Sequence, residues 1–185
     1  MLNALDLFCG CGGLSLGFEK AGINILIGID SWLDAIKTFN YNHKNSKGIC
    51  ADLSELKPQD IEEELEGKKI DLIIGGPPCQ GFSVAGKRII DDERNKLYKS
   101  FVRFVDYYRP RAFMMENVPN ILSIGGGLIR DAIVSDFSSL GYNVSYKVLT
   151  ASNYGVPQNR HRAIFVGLQN DSVFSFPEKS PQELL

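Results

Sequence analysis

The residue best suited to covalent chemistry is Cys79, within the segment GGPPCQGFS at residues 75–83. Two glycines and two prolines come directly before this cysteine, and they favour a rigid, non-helical turn. A thiol becomes an effective nucleophile near neutral pH when its surroundings favour the thiolate. The alternative is a buried cysteine in a loop, because free cysteines are common in protein interiors. Residues that fix the backbone, rather than core residues, surround Cys79, and this favours the nucleophile.

Charged side chains near two later apolar segments are further candidates. Glu116 ends the run Phe113-Met114-Met115, and an acid at the end of a buried strand is unusual unless it faces a ligand. The arginines in the segment QNRHR precede another apolar run, at the start of a predicted strand. A surface acid and solvated arginines are the corresponding alternatives.

A glycine-rich segment, DLFCGCGG, follows the first apolar run and can bring the backbone close to a ligand. The dinucleotide pattern G-x-G-x-x-G fails, because Ser15 stands where the third glycine after Gly10 and Gly12 would be, and this argues against a pyrophosphate ligand. Asp30 and Asp52 lie at the next two strand ends, placed to accept hydrogen bonds from ribose hydroxyls and from an adenine amino group. Each feature has a simple alternative as a turn or a helix cap. Together they favour an adenosine ligand without pyrophosphate, and S-adenosyl-L-methionine fits.

Alternating apolar runs and helical patterns must position these residues. We predict strands at 2–7, 23–29, 48–51, 70–75, 112–116, 144–149 and 163–167, and helices at 14–21, 33–42, 58–65, 95–107 and 128–140. Several strands are apolar throughout, as in parallel strands covered on both faces. The pattern predicts a doubly wound α/β fold with ligands at the carboxyl ends of its strands.

The composition is that of an ordinary globular protein, with 185 residues and a net charge of −2. Lysines and arginines are scattered, so we expect most of the contacts with any nucleic-acid backbone to come from residues outside this sequence. We find no signal peptide and no membrane-spanning run, and we expect a cytoplasmic protein. A disulfide framework is not expected, and two histidines do not complete a metal site around the remaining cysteines, Cys9, Cys11 and Cys50.

Four segments in one order resemble the DNA (cytosine-5) methyltransferase family. DLFCGCGG is similar to its first cofactor motif, PPCQGFS to its catalytic loop, ENV at 116–118 to its acidic motif, and QNRHR at 158–162 to its Gln-x-Arg-x-Arg motif. The resemblance extends from residue 5 to about residue 167. It implies a Rossmann-like S-adenosylmethionine-dependent methyltransferase fold in a domain at 1–169, followed by a tail or linker at 170–185.

The resemblance also implies a role for each candidate. Cys79 would add to carbon 6 of cytosine, Glu116 would bind ring nitrogen 3 and the exocyclic amino group, Arg162 would bind the base carbonyl, and Arg160 would support the loop or a phosphate. The target base must be flipped out of the duplex. Cofactor contacts are expected from Phe8, Gly10, Gly12, Asp30, Trp32, Asp52, Leu53, Pro78 and Leu97. Substrate contacts are expected from Pro77, Gln80, Ser83, Lys87, Arg88, Asn117 and Val118, and no metal is expected.

Two departures from the family pattern shape the prediction. The family often has an aromatic residue directly after the ribose-binding acid, whereas here Ser31 holds that place and Trp32 follows, either to reach the adenine or simply to pack. The family's target-recognition region and last motif are missing from these 185 residues. We therefore expect duplex DNA as a partner, together with a second subunit or C-terminal part that carries target recognition. We also expect a role in restriction–modification, associated with the nucleoid.

Other functions remain open at this point. A transfer RNA cytosine-5 methyltransferase would use the same base pocket, and a non-catalytic cofactor-binding module would use only the fold. The failed dinucleotide pattern makes a nicotinamide dehydrogenase a poor alternative.

Overall fold

The computed structural model describes residues 1–78, 96–170 and 172–179. Within them lie seven strands: β1 Asn3–Leu7, β2 Asn24–Asp30, β3 Lys47–Cys50, β4 Leu72–Gly75, β5 Ala112–Asn117, β6 Tyr142–Thr150 and β7 His161–Gln169. The helices are α1 Gly13–Lys20, α2 Leu33–Asn42, α3 Glu62–Leu65, α4 Lys96–Tyr108 and α5 Leu128–Ser139. The strand order β3-β2-β1-β4-β5-β7-β6 confirms the predicted α/β class.

The described residues fall into two compact units. The N-terminal unit comprises Met1–Pro78 and Lys96–Met114, and the C-terminal unit comprises the described residues from Met115 onward. The predicted division into a domain at 1–169 and a tail at 170–185 stays a prediction. In the part of the chain that the structure describes, no helix is both long and apolar enough to cross a membrane.

The N-terminal unit contains a parallel sheet. β1 pairs in parallel with β2 on one side and with β4 on the other, and β2 pairs in parallel with β3. Ala4, Leu5 and Leu7 are fully buried, which explains why β1 is an apolar run rather than an alternating one. On β4, a side chain at Gly75 would put its Cβ 2.1 Å from the carbonyl oxygen of Leu7, so only glycine fits there. Because the strands are parallel, their carboxyl ends share one edge, where the candidate residues lie.

Helices of this unit pack their apolar faces against the sheet. A core cluster joins residues from β1, the loop after it, β2 and β4 to the buried face of α2; its members are Ala4, Cys9, Ile25, Ile36, Phe39 and Ile74. Phe101 of α4 meets Phe113 edge to face, with ring centroids 6.2 Å apart. The predicted helix at 58–65 is instead a 3₁₀ turn, Pro58–Ile61, followed by the single turn α3. Glu66 then adopts a left-handed conformation, which ends the helix.

The C-terminal unit is dominated by an antiparallel pair. β6 and β7 are paired from Tyr142 opposite Gln169 to Thr150 opposite His161. Both strands are longer than predicted, because pairing with a neighbour carries them through polar residues that apolar runs do not mark. α5 packs against β6, and a tight 3₁₀ turn at Pro119–Leu122 follows β5.

Candidate functional site

The loop between β1 and α1 has an unusual backbone. Phe8, Gly10 and Gly12 all have left-handed conformations, with φ of 64°, 53° and 89°. At Gly12 a Cβ would lie 2.1 Å from Nε2 of the buried His43, so glycine is required by space as well as by φ. A Cβ at Gly10 would meet no described atom within 4 Å. The loop therefore packs tightly at Gly12 and leaves room at Gly10, as a loop that approaches a ligand must.

Asp30 fixes this loop from the end of β2. Its Oδ2 accepts a hydrogen bond from the backbone N–H of Gly10 at 2.9 Å, and its Oδ1 accepts one from Trp32 at 2.9 Å. Each carboxylate oxygen has a further lone pair that a ligand hydroxyl can use. Trp32 is 66% exposed at the start of α2, so its side chain is not packed in the core and the packing alternative is wrong.

Asp52 lies two residues beyond the last residue of β3. Its Oδ1 accepts a hydrogen bond from the backbone N–H of Ser54 at 2.8 Å, and the bonds from Ser54 hold the pKa of Asp52 below its usual value. Leu53 is buried in the core. Arg103 of α4 donates to the carbonyl oxygens of Leu53 and Leu56, at 2.9 and 2.8 Å. Sequence analysis missed Arg103, because a contact across 50 residues leaves no local signal.

The first residue of the segment DLFCGCGG is a buried acid to which the sequence analysis assigned no role of its own. Asp6 of β1 is fully buried, and its Oδ2 accepts a hydrogen bond from Oγ of the equally buried Ser15 at 2.6 Å. Burial raises the pKa of Asp6 from 3.8 to about 7, and the hydrogen bonds from Ser15 only partly oppose this. Burial also raises the pKa of the neighbouring Cys9 thiol far above neutrality. A buried thiol with so high a pKa is a poor nucleophile at neutral pH.

The C-terminal unit brings together two of the predicted motifs. Nε of Arg162 lies 2.6 Å from Oε1 of Glu116, and a terminal guanidinium nitrogen of Arg160 lies 3.8 Å from the same oxygen. The side chains of Glu116 and Arg162 are 28% and 25% exposed, whereas that of Arg160 is 49% exposed. A partly buried, charge-assisted bond between Glu116 and Arg162 fixes both side chains more firmly than a solvated pair would. Arg160 makes the weaker contact.

Backbone turns set the positions around this pair. The backbone N–H of Gln158 donates to the carbonyl oxygen of Val156, and that of Arg160 donates to the carbonyl oxygen of Gln158. The carbonyl oxygen of Arg160 accepts from the N–H of Ala151, so these backbone bonds fix Arg160 just before β7. After Glu116, Asn117 is buried and its Oδ1 accepts a hydrogen bond from the N–H of Val118 at 2.8 Å. Val118 is exposed at the end of this turn.

Three more of the predicted site residues lie just after β4 and at the start of α4. Pro77 is buried and Pro78 half-buried after β4, and Leu97 is half-buried in the first turn of α4. The remaining predicted residues lie outside the described ones: Cys79, Gln80, Ser83, Lys87 and Arg88. Among the described residues, no three His, Cys, Asp or Glu side chains lie close enough to hold a metal ion.

A nucleoside cofactor fits the groups present in the N-terminal unit. Two carboxylates at successive strand ends supply acceptors, Gly10 leaves space for a ligand, and α1 begins directly after the loop. Together with the doubly wound sheet, these features define a Rossmann-like protein whose N-terminal unit is suited to a nucleoside cofactor.

Comparison with known proteins identifies the family. The family described as C-5 cytosine-specific DNA methylase matches residues 2–184, and the chain belongs to this family. Its members are S-adenosylmethionine-dependent methyltransferases.

Individual relatives support this assignment to the family. The type II methyltransferase M.DdeI of Desulfomicrobium norvegicum is 44% identical over 173 residues, which are 92% of this chain and 41% of that protein. The type II methyltransferase M1.HphI of Haemophilus parahaemolyticus is 40% identical over 185 residues, 98% of this chain and 50% of that protein. The crystal structure of a DNA modification methyltransferase encoded within an E. coli prophage is 38% identical, with a TM-score of 0.79 over 91% of this chain and 47% of that one. The chain thus spans about half the length of these relatives.

Proposed function

We propose that the chain carries the cofactor-binding and base-binding residues of an enzyme that transfers a methyl group from S-adenosyl-L-methionine to carbon 5 of cytosine in DNA. The observation that carries this proposal is the ion pair between Glu116 and Arg162. It joins the acidic motif to the arginine motif across 46 residues, and each is the residue type that recognition of cytosine requires.

Cytosine presents ring nitrogen 3 and an amino group on one edge and a carbonyl oxygen beside them. The carboxyl group of Glu116 can donate its O–H to the ring nitrogen and accept a hydrogen bond from the amino group, and it would reject thymine, which carries a carbonyl in place of the amino group. The guanidinium of Arg162 can donate to the carbonyl oxygen while it holds Glu116 in place. Arg160, more exposed and farther from Glu116, is suited to the loop or to a phosphate.

The proposed chemistry begins at Cys79. Carbon 5 of cytosine is a poor nucleophile until the Cys79 thiolate adds to carbon 6, which pushes electron density toward carbon 5 and nitrogen 3. Glu116 stabilises the density that reaches nitrogen 3 by donating a hydrogen bond from its carboxyl O–H to that nitrogen. After carbon 5 has taken the methyl group, loss of its proton and of the thiolate restores the ring. The base must leave the helical stack for these groups to reach it.

In the N-terminal unit, the proposed cofactor contacts are the loop at Phe8, Gly10 and Gly12, with Asp30 for the ribose and Asp52 for the adenine amino group. Trp32, Leu53, Pro78 and Leu97 are the proposed apolar contacts, and for the buried Leu53 the backbone is the part suited to contact. When bound, S-adenosyl-L-methionine supplies an electrophilic methyl group. Asp30 and Asp52 orient its nucleoside, and their carboxylates favour a ligand that carries hydroxyls and a sulfonium charge over one with phosphates.

Target recognition is proposed to come from residues that correspond to the other half of the relatives, in a C-terminal part or a second subunit. Because the relatives named above are type II methyltransferases, DNA is favoured over transfer RNA, and restriction–modification is the proposed context. We further propose that the enzyme acts in the cytoplasm, at the nucleoid.

The test is transfer of labelled methyl groups to duplex DNA and, in parallel, to transfer RNA. The chain is assayed alone and with the product of the adjacent reading frame. We expect strong transfer to DNA only with the second component, lost in Cys79→Ser and retained in Cys50→Ser, which changes an exposed cysteine in the same way. Transfer to RNA but not to DNA would show that the substrate is RNA. Binding of the cofactor without methyl transfer to either nucleic acid would favour a non-catalytic module.

A further inference from the structure

Helix α1 begins without a capping side chain of its own. Its N-cap residue is Gly12, which makes no side-chain hydrogen bond, and its first turn contains no acidic residue. The first N–H groups of a helix have no partner within the helix and need an acceptor. Because α1 follows the proposed cofactor loop directly, a group that fixes the first turn of α1 also fixes the end of the loop.

The acceptor is the buried carboxyl of Asp6. Both the hydroxyl and the backbone N–H of Ser15, in the first turn of α1, donate hydrogen bonds to it. The loop therefore has a carboxylate at each side, because Asp30 accepts from Gly10 as Asp6 accepts from Ser15. The strained φ of 64° at Phe8 lies in the same short segment and can persist only if its surroundings fix it.

Burying this carboxyl is costly. Asp6 is fully buried, and its Oδ1 has no hydrogen-bond partner among the described residues. The charged group that acts on Asp6 is Asp30 at the end of β2, whose charge opposes the ionisation of Asp6, and the charge of Asp6 in turn helps to raise the pKa of the Cys9 thiol. β4, on the other side of β1, has the sequence LIIG and adds no charge, and the charged residues of α1, Glu19 and Lys20, lie at its far end.

We propose that Asp6 is a positioning residue for cofactor binding, which holds the loop at residues 8–12 and the first turn of α1 in one geometry through its hydrogen bonds to Ser15. This inference rests on the proposed function. Because Asp6 is fully buried, its side chain is not placed to touch the cofactor or the base. Its effect is expected on the affinity for S-adenosyl-L-methionine rather than on turnover at saturation.

Two variants test the role of Asp6. Asp6→Asn keeps an acceptor but removes the charge, and Ser15→Ala removes the donated hydroxyl. The matched control is Asp71→Asn, because the Asp71 carboxylate also accepts a backbone N–H from β1, that of Asn3, at the opposite end of the strand. The dissociation constant for S-adenosyl-L-methionine is measured by calorimetry from pH 6 to pH 8, and KM and kcat are measured in the active complex.

We expect Asp6→Asn and Ser15→Ala each to raise the dissociation constant roughly tenfold at pH 8, the effect of losing one charge-assisted hydrogen bond. The KM for the cofactor should rise in parallel, with kcat little changed. Wild-type affinity should weaken as the pH falls from 8 to 6, because protonation of Asp6 weakens the bonds from Ser15. That pH dependence should be absent in Asp6→Asn and normal in Asp71→Asn. Wild-type affinity and an unchanged pH profile in Asp6→Asn would overturn the proposal.

Hydrogen exchange without cofactor separates this inference from the proposed function. Amides at residues 9–16 should exchange faster in Asp6→Asn and Ser15→Ala than in wild type or in Asp71→Asn. If wild-type protein binds no S-adenosyl-L-methionine at all, the proposed function fails and the cofactor role of Asp6 fails with it. If wild type binds it but exchange in this segment is the same in all four proteins, only the positioning role is wrong.

Discussion

The buried carboxyl of Asp6 predicts an unusual dependence of stability on pH. Its pKa is about 7 in the folded chain, against 3.8 for an ordinary aspartate. Between these values the folded chain holds a proton that the unfolded chain has released, so the free energy of unfolding falls as the pH rises and levels off above pH 7. Linkage gives a loss of roughly 3 kcal/mol between pH 5 and pH 8 from this one group.

Asp6→Asn removes this titration. Relative to wild type, the variant should gain roughly 3 kcal/mol between pH 5 and pH 8, because all other groups titrate alike in both proteins. Urea unfolding followed by far-ultraviolet circular dichroism gives the free energy of unfolding of both proteins at the two pH values. The change between pH 5 and pH 8 is then compared between variant and wild type. An amide leaves one buried donor without a partner, but that cost is the same at both pH values and cancels. A gain below about 1 kcal/mol would refute the account of Asp6 as a buried, titrating acid.

Two further comparisons test the other sites. Arg162→Lys should lower kcat/KM for methyl transfer in the complete enzyme by roughly a hundredfold, because it breaks the 2.6 Å bond to Glu116, whereas Arg160→Lys should cost less than roughly tenfold. Equal losses would show that the ion-pair geometry does not set these roles. Gly10→Ala should cost about 1–2 kcal/mol, the strain of placing a side chain at a positive φ. Gly12→Ala should destabilise the chain far more, because its Cβ would also collide with neighbouring side chains. Equal midpoints of urea unfolding would contradict this reading of the loop.

Much of the fold and the candidate site was accessible from the sequence for physical reasons. Apolar runs mark strands buried on both faces, and parallel strands must deliver their carboxyl ends to one edge. Asp30 was therefore expected near the glycine loop, and the structure places its carboxylate on Gly10. The family resemblance implied that Glu116 and Arg162 bind the same base, but it did not predict their ion pair, and no rule of spacing joins residues so far apart.

The features that escaped prediction depend on tertiary contacts. Asp6 stands in an apolar run, and nothing local tells whether an acid there faces solvent or, as it does, a serine inside the unit. Arg103 reaches carbonyl groups 50 and 47 residues earlier in the chain. The length of the antiparallel pair β6–β7 follows from pairing, not from hydrophobicity.

The central claim, cytosine-5 methylation through Cys79, has one direct test. Duplex DNA that contains 5-fluorocytosine is incubated with S-adenosyl-L-methionine, the chain and its second component, and the denatured products are examined by mass spectrometry. Fluorine at carbon 5 cannot leave as the proton does, so the thioether to carbon 6 should persist. We predict a covalent adduct that maps to Cys79, requires the cofactor and is absent in Cys79→Ser. Methyl transfer to ordinary DNA without any such adduct, or an adduct at another cysteine, would contradict the account.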